Sequence, residues 1–144
     1  MLAGHLALVA ASVFAGAAFY INYAEQPARL GLDDRSLLAE WKLAYQRGYV
    51  MQASLAIVGF LLGLLAWWMT GTAAFLVGAL LMVANWPWTL LGVLPTNKAL
   101  MAMDLTKASV DTRALLLKWN RLHAVRTALG GLAVASFVLG VNSS

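Results

Sequence analysis

Three residues in the last third of the chain offer acid–base chemistry if they lie on a helix. Trp119, His123 and Arg126 stand at positions i, i+4 and i+7, and this spacing places them on one narrow helical face. Histidine is the side chain best suited to exchange a proton near neutral pH, and a guanidinium group stabilises an oxygen anion. The face therefore combines a proton acceptor, an anion-binding group and an aromatic surface.

Polar and aromatic residues recur at helical spacing in two other segments. These are Asn22, Glu25 and Arg29 in the first segment, and Trp41, Tyr45, Tyr49 and Gln52 in the second. Asn97 adds a carboxamide just after Pro95. Whether these residues meet depends on the elements that carry them.

The composition requires those elements to lie in a membrane. Apolar residues make up 62% of the 144 residues and charged residues 11%, against roughly 45–50% and about 25% in a soluble domain. The mean hydropathy is +0.76. This excludes a water-soluble globular protein and a disordered one. The absence of cysteine excludes a disulfide scaffold and a thiolate metal site.

The charged residues divide the chain into spans and loops. All sixteen lie between Glu25 and Arg47 or between Lys98 and Arg126. A spanning helix needs about 20 apolar residues. In lipid the backbone hydrogen bonds must be made within the protein, which a helix does within one segment and a β-sheet does only by closing into a barrel. We therefore predict a single all-α domain over 1–144, a four-helix membrane bundle with spans at about 2–24, 49–69, 72–94 and 122–141.

The distribution of basic residues predicts the orientation. Thr70-Gly71-Thr72 joins the second and third spans as a tight hairpin with glycine as the breaker, so loops 25–48 and 95–121 lie on the same side. They and their flanks hold all ten Lys/Arg, which places them in the cytoplasm and both termini opposite. The net charge of +4 then reflects topology, and we expect no nucleic-acid partner.

Helical patterns also extend into the loops. Ser36–Tyr49 should run into the second span with Asp34 or Ser36 as its N-cap, and Asp111–Arg126 should run into the fourth span with Asp111 as its cap. We expect prolines and glycine to interrupt the other helices. The predicted sites are the ends of the first helix at Pro27 and Gly31 and of the third at Pro95, and a kink at Pro87.

The fourth span is short. Thr127 to Val141 has 15 residues, which cover about 22 Å of a hydrocarbon core roughly 30 Å thick. The helix must therefore bring His123 and Arg126 to membrane depth, where ionisable groups are costly and mark functional sites. The alternative is that Arg126 snorkels to the headgroups and His123 lies at the interface.

The predicted topology brings the three stripes and Asn97 to the same end of the four helices. An ordinary interfacial belt is the alternative for the aromatic residues. We assign Trp67, Trp68 and Trp88 to that belt, and Trp41, Tyr45 and Trp119 to the walls of a pocket.

The sequence shows no signature of a bound cofactor. It has no G-x-G-x-x-G and no Walker A loop, which such sites require. Its two histidines, His5 and His123, are predicted at opposite membrane faces and cannot share a haem. Glu25 with His123 would be a poor ligand set for a metal. We predict neither a cofactor nor a metal.

Four segments resemble the anthrone oxygenase-like family of small four-helix membrane proteins. They are GAAFYINYAEQPAR in the first helix, W…Y…R…MQ from Trp41 to Gln52, LPTNKAL after the third span, and WNRLHAVRT entering the fourth. Their order and spacing cover nearly the whole chain. The resemblance implies oxidation of anthrones to anthraquinones by molecular oxygen, without metal or flavin.

The resemblance also places eight residues at the family's motif positions, although it does not identify which are catalytic. We predict catalytic roles for His123, Glu25 and Arg126, and substrate-binding roles for Arg29, Trp41, Tyr45, Asn97 and Trp119. His123 would take a proton from a phenol or anthrone, with Glu25 orienting it or acting as the base itself. Arg126 and Arg29 would stabilise the enolate and a reduced oxygen species, and the aromatic rings would stack on the substrate.

A non-enzymatic function stays open on the sequence alone. The chain would then bind a hydrophobic small molecule or lipid, or serve as an accessory subunit of a membrane complex, or associate with further copies of itself. An enzyme or carrier requires an open cavity beside His123, whereas a structural subunit would have these polar groups satisfied by each other.

Overall fold

Four long helices account for most of the protein. A computed structural model describes residues 1–144. It is all-α, as predicted, with α1 over Leu2–Leu30, α2 over Asp34–Thr70, α3 over Ala73–Ala102 and α4 over Val110–Asn142. A single 3₁₀ turn, Leu105–Lys107, lies in the last loop. All four helices are long and apolar enough to cross a membrane, and the chain is a multi-pass integral membrane protein.

The helices form a four-membered ring in which α1 packs on α2, α2 on α3, α3 on α4 and α4 on α1. Gly71, with φ of +70°, ends α2 and provides the predicted hairpin turn to α3. A left-handed backbone is readily adopted by glycine. The predicted extensions of the second and fourth helices are confirmed, since α2 and α4 run without interruption for 37 and 33 residues.

Both extensions begin one or two residues earlier than predicted. The carboxylate of Asp33, not Asp34 or Ser36, caps α2 by accepting a hydrogen bond from the Ser36 N–H at 3.0 Å. Hydrogen bonds from Ser36 hold the pKa of the Asp33 carboxyl below its ordinary value. Ser109, not Asp111, caps α4 through a capping box with Thr112. The acidic residues that follow each cap stand in the first turn, where negative charge favours the helix dipole.

The prolines do not end the first and third helices as predicted. A π-helical turn over Ile21–Glu25 precedes Pro27, and another over Thr89–Val93 precedes Pro95. Proline lacks an N–H and clashes with the carbonyl one turn earlier. The wider turn accommodates that carbonyl, and the helix continues to Leu30 in one case and Ala102 in the other. Pro87 does interrupt its helix, because regular α-helix stops at Val83 and resumes at Asn85.

Small residues allow the helices to approach closely around three phenylalanines. Phe14, Phe75 and Phe137 are fully buried, and each lies against at least one glycine of a neighbouring helix. The ideal Cβ positions at Gly130, Gly140 and Gly63 lie 2.8 Å from these respective rings. This apolar layer occupies the half of the bundle near the termini. A second apolar cluster around Trp41, Leu100 and Leu116 occupies the other half.

Candidate active site

One cavity gathers all eight residues that the sequence predicts to carry the chemistry. It has a volume of about 40 Å³ and lies in the second half of the bundle. The eight are Glu25, Arg29, Trp41, Tyr45, Asn97, Trp119, His123 and Arg126. The other lining residues are Ile21, Ala44, Gly48, Tyr49, Gln52 and Val93. We call this the inner cavity.

The two π-helical turns position side chains in the inner cavity. Arg29 follows Pro27 by two residues and Asn97 follows Pro95 by two residues. Both side chains are buried and line the cavity. Each π-turn adds a residue to one helical turn and so shifts the face that the following residues present. A π-helical turn thus positions a buried polar side chain in both α1 and α3.

His123 lies inside the bundle and does not face lipid or the headgroups. It is 2% exposed, and its ring stacks on that of Trp119 with centroids 4.9 Å apart. Its Nδ1 lies 2.8 Å from Oδ1 of Asn22. Asn22, rather than Glu25, is therefore the residue that orients this histidine.

The hydrogen bonds of Asn22 determine which imidazole nitrogen carries the proton. The Nδ2 of Asn22 donates to the backbone carbonyl of Asn120 at 3.0 Å and to its Oδ1 at 2.6 Å. A carbonyl only accepts, so the amide orientation is determined. Oδ1 of Asn22 must then accept from Thr127 Oγ1, at 2.6 Å, and from His123 Nδ1. In the neutral imidazole Nε2 consequently carries the lone pair, and Nε2 makes no hydrogen bond within the protein.

The two buried arginines of the inner cavity have opposite environments. Arg29 is 2% exposed and forms ion pairs with Glu25 and Glu40. Its Nη1 donates to Gln26 Oε1 at 2.6 Å. The guanidinium is therefore neutralised and held in place. Arg29 consequently builds the wall of the cavity, and its pairing with Glu25 also occupies that carboxylate.

Arg126 has no carboxylate partner. It is 8% exposed, and its sole hydrogen bond is a long one of 3.5 Å from Nη2 to Gln52 Oε1. Its Nε is buried without a partner, and the guanidinium lies 5.7 Å from the Phe14 ring centroid. A buried charge is costly unless it is paired. Arg126 is thus equipped to receive an anionic or strongly polarised oxygen from a ligand.

Aromatic rings form one wall of the inner cavity. Trp41 stacks on Tyr45 with centroids 4.9 Å apart and planes 5° from parallel, and it meets the edge of Trp119 at 5.8 Å. Trp119 Nε1 donates to Asn97 Oδ1 at 2.8 Å, which locks that indole. The indole Nε1 of Trp41 is buried without a partner. The wall is rigid and retains one free donor.

A second, larger cavity adjoins the inner one between α2 and α3. Its volume is about 240 Å³, and Tyr45, Tyr49, Asn97 and Arg126 line both cavities. Its other lining residues are Ala53, Ala56, Asn85, Trp86, Thr89, Leu90 and Leu94. We call it the lateral chamber, because it lies between neighbouring spans and its rim residues Tyr49, Trp86 and Leu90 are exposed on the outer surface.

Comparison with known proteins identifies the family of this chain. The model of the family described as "Anthrone oxygenase" matches residues 41–136. That is most of the chain. The chain belongs to the anthrone oxygenase family. It is similar to a protein named "Anthrone oxygenase" from Claviceps purpurea (strain 20.1), with 30% identity over 141 residues covering 87% of this chain and 80% of that protein. No solved structure matches this chain.

The region that matches the anthrone oxygenase family contains six of the eight predicted residues. Glu25 and Arg29 precede it. The matched region therefore includes the helical face that carries His123 and Arg126 and the stacked pair Trp41 and Tyr45.

The metal-ligating side chains of this anthrone oxygenase-family protein do not cluster. No three His, Asp or Glu residues come together in the structure, and cysteine is absent. The donors around the inner cavity are one imidazole and a carboxylate that is already bound to Arg29.

Sequence reasoning left three functional candidates out of the predicted set. Asn22 orients His123, Gln52 contacts Arg126, and Asn85 lines the lateral chamber. Each is a carboxamide within an apolar helix, which is a signal of function in itself. Trp88, which the sequence assigned to the interfacial belt, is half-buried; its Nε1 donates to the Leu122 carbonyl at 3.0 Å and its ring packs on the second apolar cluster.

Proposed function

We propose that this protein is a cofactor-independent oxygenase acting on a flat, phenolic or anthrone-like substrate, whose rings occupy the lateral chamber and whose reacting carbon enters the inner cavity. The observation that carries the proposal is the pairing of two groups in that cavity. His123 presents a free Nε2, and Arg126 presents a guanidinium without a counter-ion. A base beside an uncompensated cation is suited to form and hold an organic anion.

The first step is removal of a proton from the carbon opposite the ketone of an anthrone. His123 Nε2 takes this proton, while the Nδ1–H bond to Asn22 Oδ1 holds the ring and stabilises the resulting imidazolium. The negative charge moves to the ketone oxygen as an enolate. Arg126 stabilises that oxygen with donors that have few partners within the protein.

Oxygen then accepts electrons directly from the enolate. One electron passes to O₂, the carbon radical and superoxide combine through a new C–O bond, and the peroxide takes the proton held by His123. Loss of the second hydrogen from that carbon as a proton breaks the O–O bond and forms the new ketone. The balance is one anthrone plus one O₂ giving one anthraquinone plus one water, and each product receives one of the two atoms of O₂.

The cavity wall supports a planar substrate. The stacked rings of Trp41 and Tyr45 and the locked indole of Trp119 present flat apolar surfaces that need no reorganisation. The lateral chamber extends this space towards the bilayer. A purely structural subunit has no use for open volume beside residues with unpaired polar atoms, and these features therefore favour an enzyme over an accessory subunit.

The proposed orientation follows from the basic loops. The inner cavity lies at the end of the bundle that carries the loops between α1 and α2 and between α3 and α4. All ten Lys/Arg lie in those loops and the adjoining halves of the helices. We place this end in the cytoplasm, because basic residues are retained there.

Oxygen uptake by purified protein with anthrone tests the function. We expect a rate well above autoxidation, a ratio of one O₂ consumed per anthraquinone formed, and no release of oxygen when catalase is added. With ¹⁸O₂ the new ketone should carry one labelled atom. A rate equal to autoxidation would contradict the oxygenase, and stoichiometric metal or flavin in active protein would contradict the cofactor-free mechanism. Binding of anthrone without turnover would favour the ligand-binding alternative.

A further inference from the structure

Asn85 has a buried hydrogen-bond acceptor that nothing in the protein satisfies. Its side chain lines the lateral chamber, and the residue is 1% exposed. Its Nδ2 donates to the carbonyls of Leu81 and Met82, both at 3.2 Å. Because those partners only accept, the amide cannot be turned round, and Oδ1 is left without a donor.

An unpaired buried acceptor destabilises a protein. Leaving such a group without a partner costs about 1–3 kcal/mol, and a leucine of similar size would fill the position without this cost. Sequences retain locally unfavourable residues mainly at functional sites. The protein itself supplies no hydrogen-bond donor to Asn85 Oδ1, and we therefore expect a ligand to supply it.

The unpaired polar atoms of two residues that line the lateral chamber define a complementary ligand. Arg126 offers only donors, and its Nε is unpartnered, whereas the free atom of Asn85 only accepts. The rest of the lining is largely apolar or aromatic, including Trp86, Leu90 and Leu94. A ligand that satisfies both ends has an oxygen acceptor at one point, a hydroxyl donor at another, and an apolar body between them.

We propose that Asn85 is a specificity-determining residue that accepts a hydrogen bond from a hydroxyl group of the substrate, remote from the ketone that Arg126 binds. This inference rests on the proposed function for the identity of the ligand. The ring system of the substrate then occupies the lateral chamber, with its reacting carbon towards His123. Asn85 selects hydroxylated rings over those that lack the donor.

Ligand pairs that differ only in the donor test this selection. The ligands are an anthrone with one hydroxyl on an outer ring, away from the ketone, and its methyl ether, which keeps the oxygen but has no donor. All three positions of the outer ring that cannot bond internally to the ketone are tried. Binding is measured without oxygen by quenching of tryptophan fluorescence, so that the result does not depend on turnover.

The wild-type protein should bind the hydroxyl compound about tenfold more tightly than its ether, the effect expected of one well-formed hydrogen bond to a buried group. In Asn85→Leu the affinity for the hydroxyl compound should fall by about the same factor, and that for the ether should change little. Under oxygen, KM for the hydroxyl compound should rise while kcat stays near the wild-type value, because Asn85 does not touch the reacting carbon. Asn85→Ala should behave in the same way and serves if the leucine variant folds poorly.

Asn142→Leu is the matched control. Asn142 makes the same type of bond, from Nδ2 to the carbonyl four residues earlier at 3.0 Å, but it is exposed and lines neither cavity. This variant should leave the preference unchanged. In the absence of ligand, Asn85→Leu should melt at a higher temperature than the wild type, because it removes the unpaired acceptor.

Two results would overturn the role of Asn85. One is equal binding of the two compounds by the wild type, including no binding of either. The other is a preference that persists in both Asn85 variants. Failure of the proposed function gives a different pattern, in which the binding preference and its loss in the variants are observed but neither compound is oxidised faster than by autoxidation.

Discussion

Asn22 and His123 are 101 positions apart in the chain, yet Asn22 Oδ1 and His123 Nδ1 lie 2.8 Å apart in the bundle. The contact joins α1 to α4 and leaves Nε2 of His123 without a hydrogen-bond partner in the protein. It performs for this histidine the orienting role that a carboxylate performs in many acid–base sites. A neutral amide does so without adding a charge to the apolar interior.

The first prediction concerns this pair. His123→Ala should lower kcat by about 10²–10⁴-fold, the usual effect of removing a positioned base. Asn22→Leu should lower it less, by about 10–100-fold, because the base remains but is no longer oriented. Initial rates of oxygen uptake measure both effects. His5→Ala is the control, since His5 is exposed and far from the inner cavity. An unchanged rate in His123→Ala would contradict the role of His123 as the base.

The second prediction distinguishes the two arginines. Arg126→Lys retains the charge but loses the planar fork of donors, so it should raise KM and lower kcat while the protein still folds. Arg29→Lys breaks a network with Glu25, Glu40 and Gln26, so its main effect should be a lower melting temperature. Steady-state kinetics and thermal unfolding in detergent separate these outcomes. Wild-type kinetics in Arg126→Lys would argue against an anion bound by this guanidinium.

The third prediction tests the packing of the apolar half. A Cβ at Gly63 would lie 2.8 Å from the Phe137 ring and 3.0 Å from the Cβ of Ala79. Gly63→Ala should therefore destabilise the bundle by about 1–3 kcal/mol, as overpacking does. Gly131→Ala is matched to it, because Gly131 lies in a helix and has no atom near its Cβ position. That change should be neutral or slightly stabilising. Equal melting temperatures for the two variants would contradict the close approach.

The fourth prediction concerns topology and uses the absence of cysteine. Asp34→Cys introduces a single thiol into the first basic loop, 25–48, and Lys107→Cys introduces one into the second, 95–121. A membrane-impermeant maleimide added to intact cells should label neither, but should label both after permeabilisation. Ser144→Cys at the opposite end of the bundle should be labelled from outside. Labelling of position 34 or 107 in intact cells would reverse the orientation.

Much of the fold could be predicted from local patterns. The confinement of charge to two windows and the length of the apolar stretches determine four spans, because lipid admits few other solutions. Gly71 likewise predicts the hairpin between the second and third spans. The prolines were harder to interpret, since Pro27 and Pro95 can end a helix or be accommodated by a π-turn. Packing against neighbouring helices, rather than the proline itself, decides between these outcomes.

The sequence also determined which residues share a helical face, and hence that Trp119, His123 and Arg126 line one surface. It could not determine their partners. The interpretation of Arg29 as an anion-binding residue like Arg126 depended on residue type alone, and only the tertiary structure shows that Glu25 and Glu40 neutralise Arg29 while Arg126 has no counter-ion. In the same way only the packing of α1 on α4 brings Asn22 to His123. Faces follow from helical periodicity, whereas partners depend on how each helix is rotated and shifted against its neighbours, and that is decided by the close packing of the whole bundle.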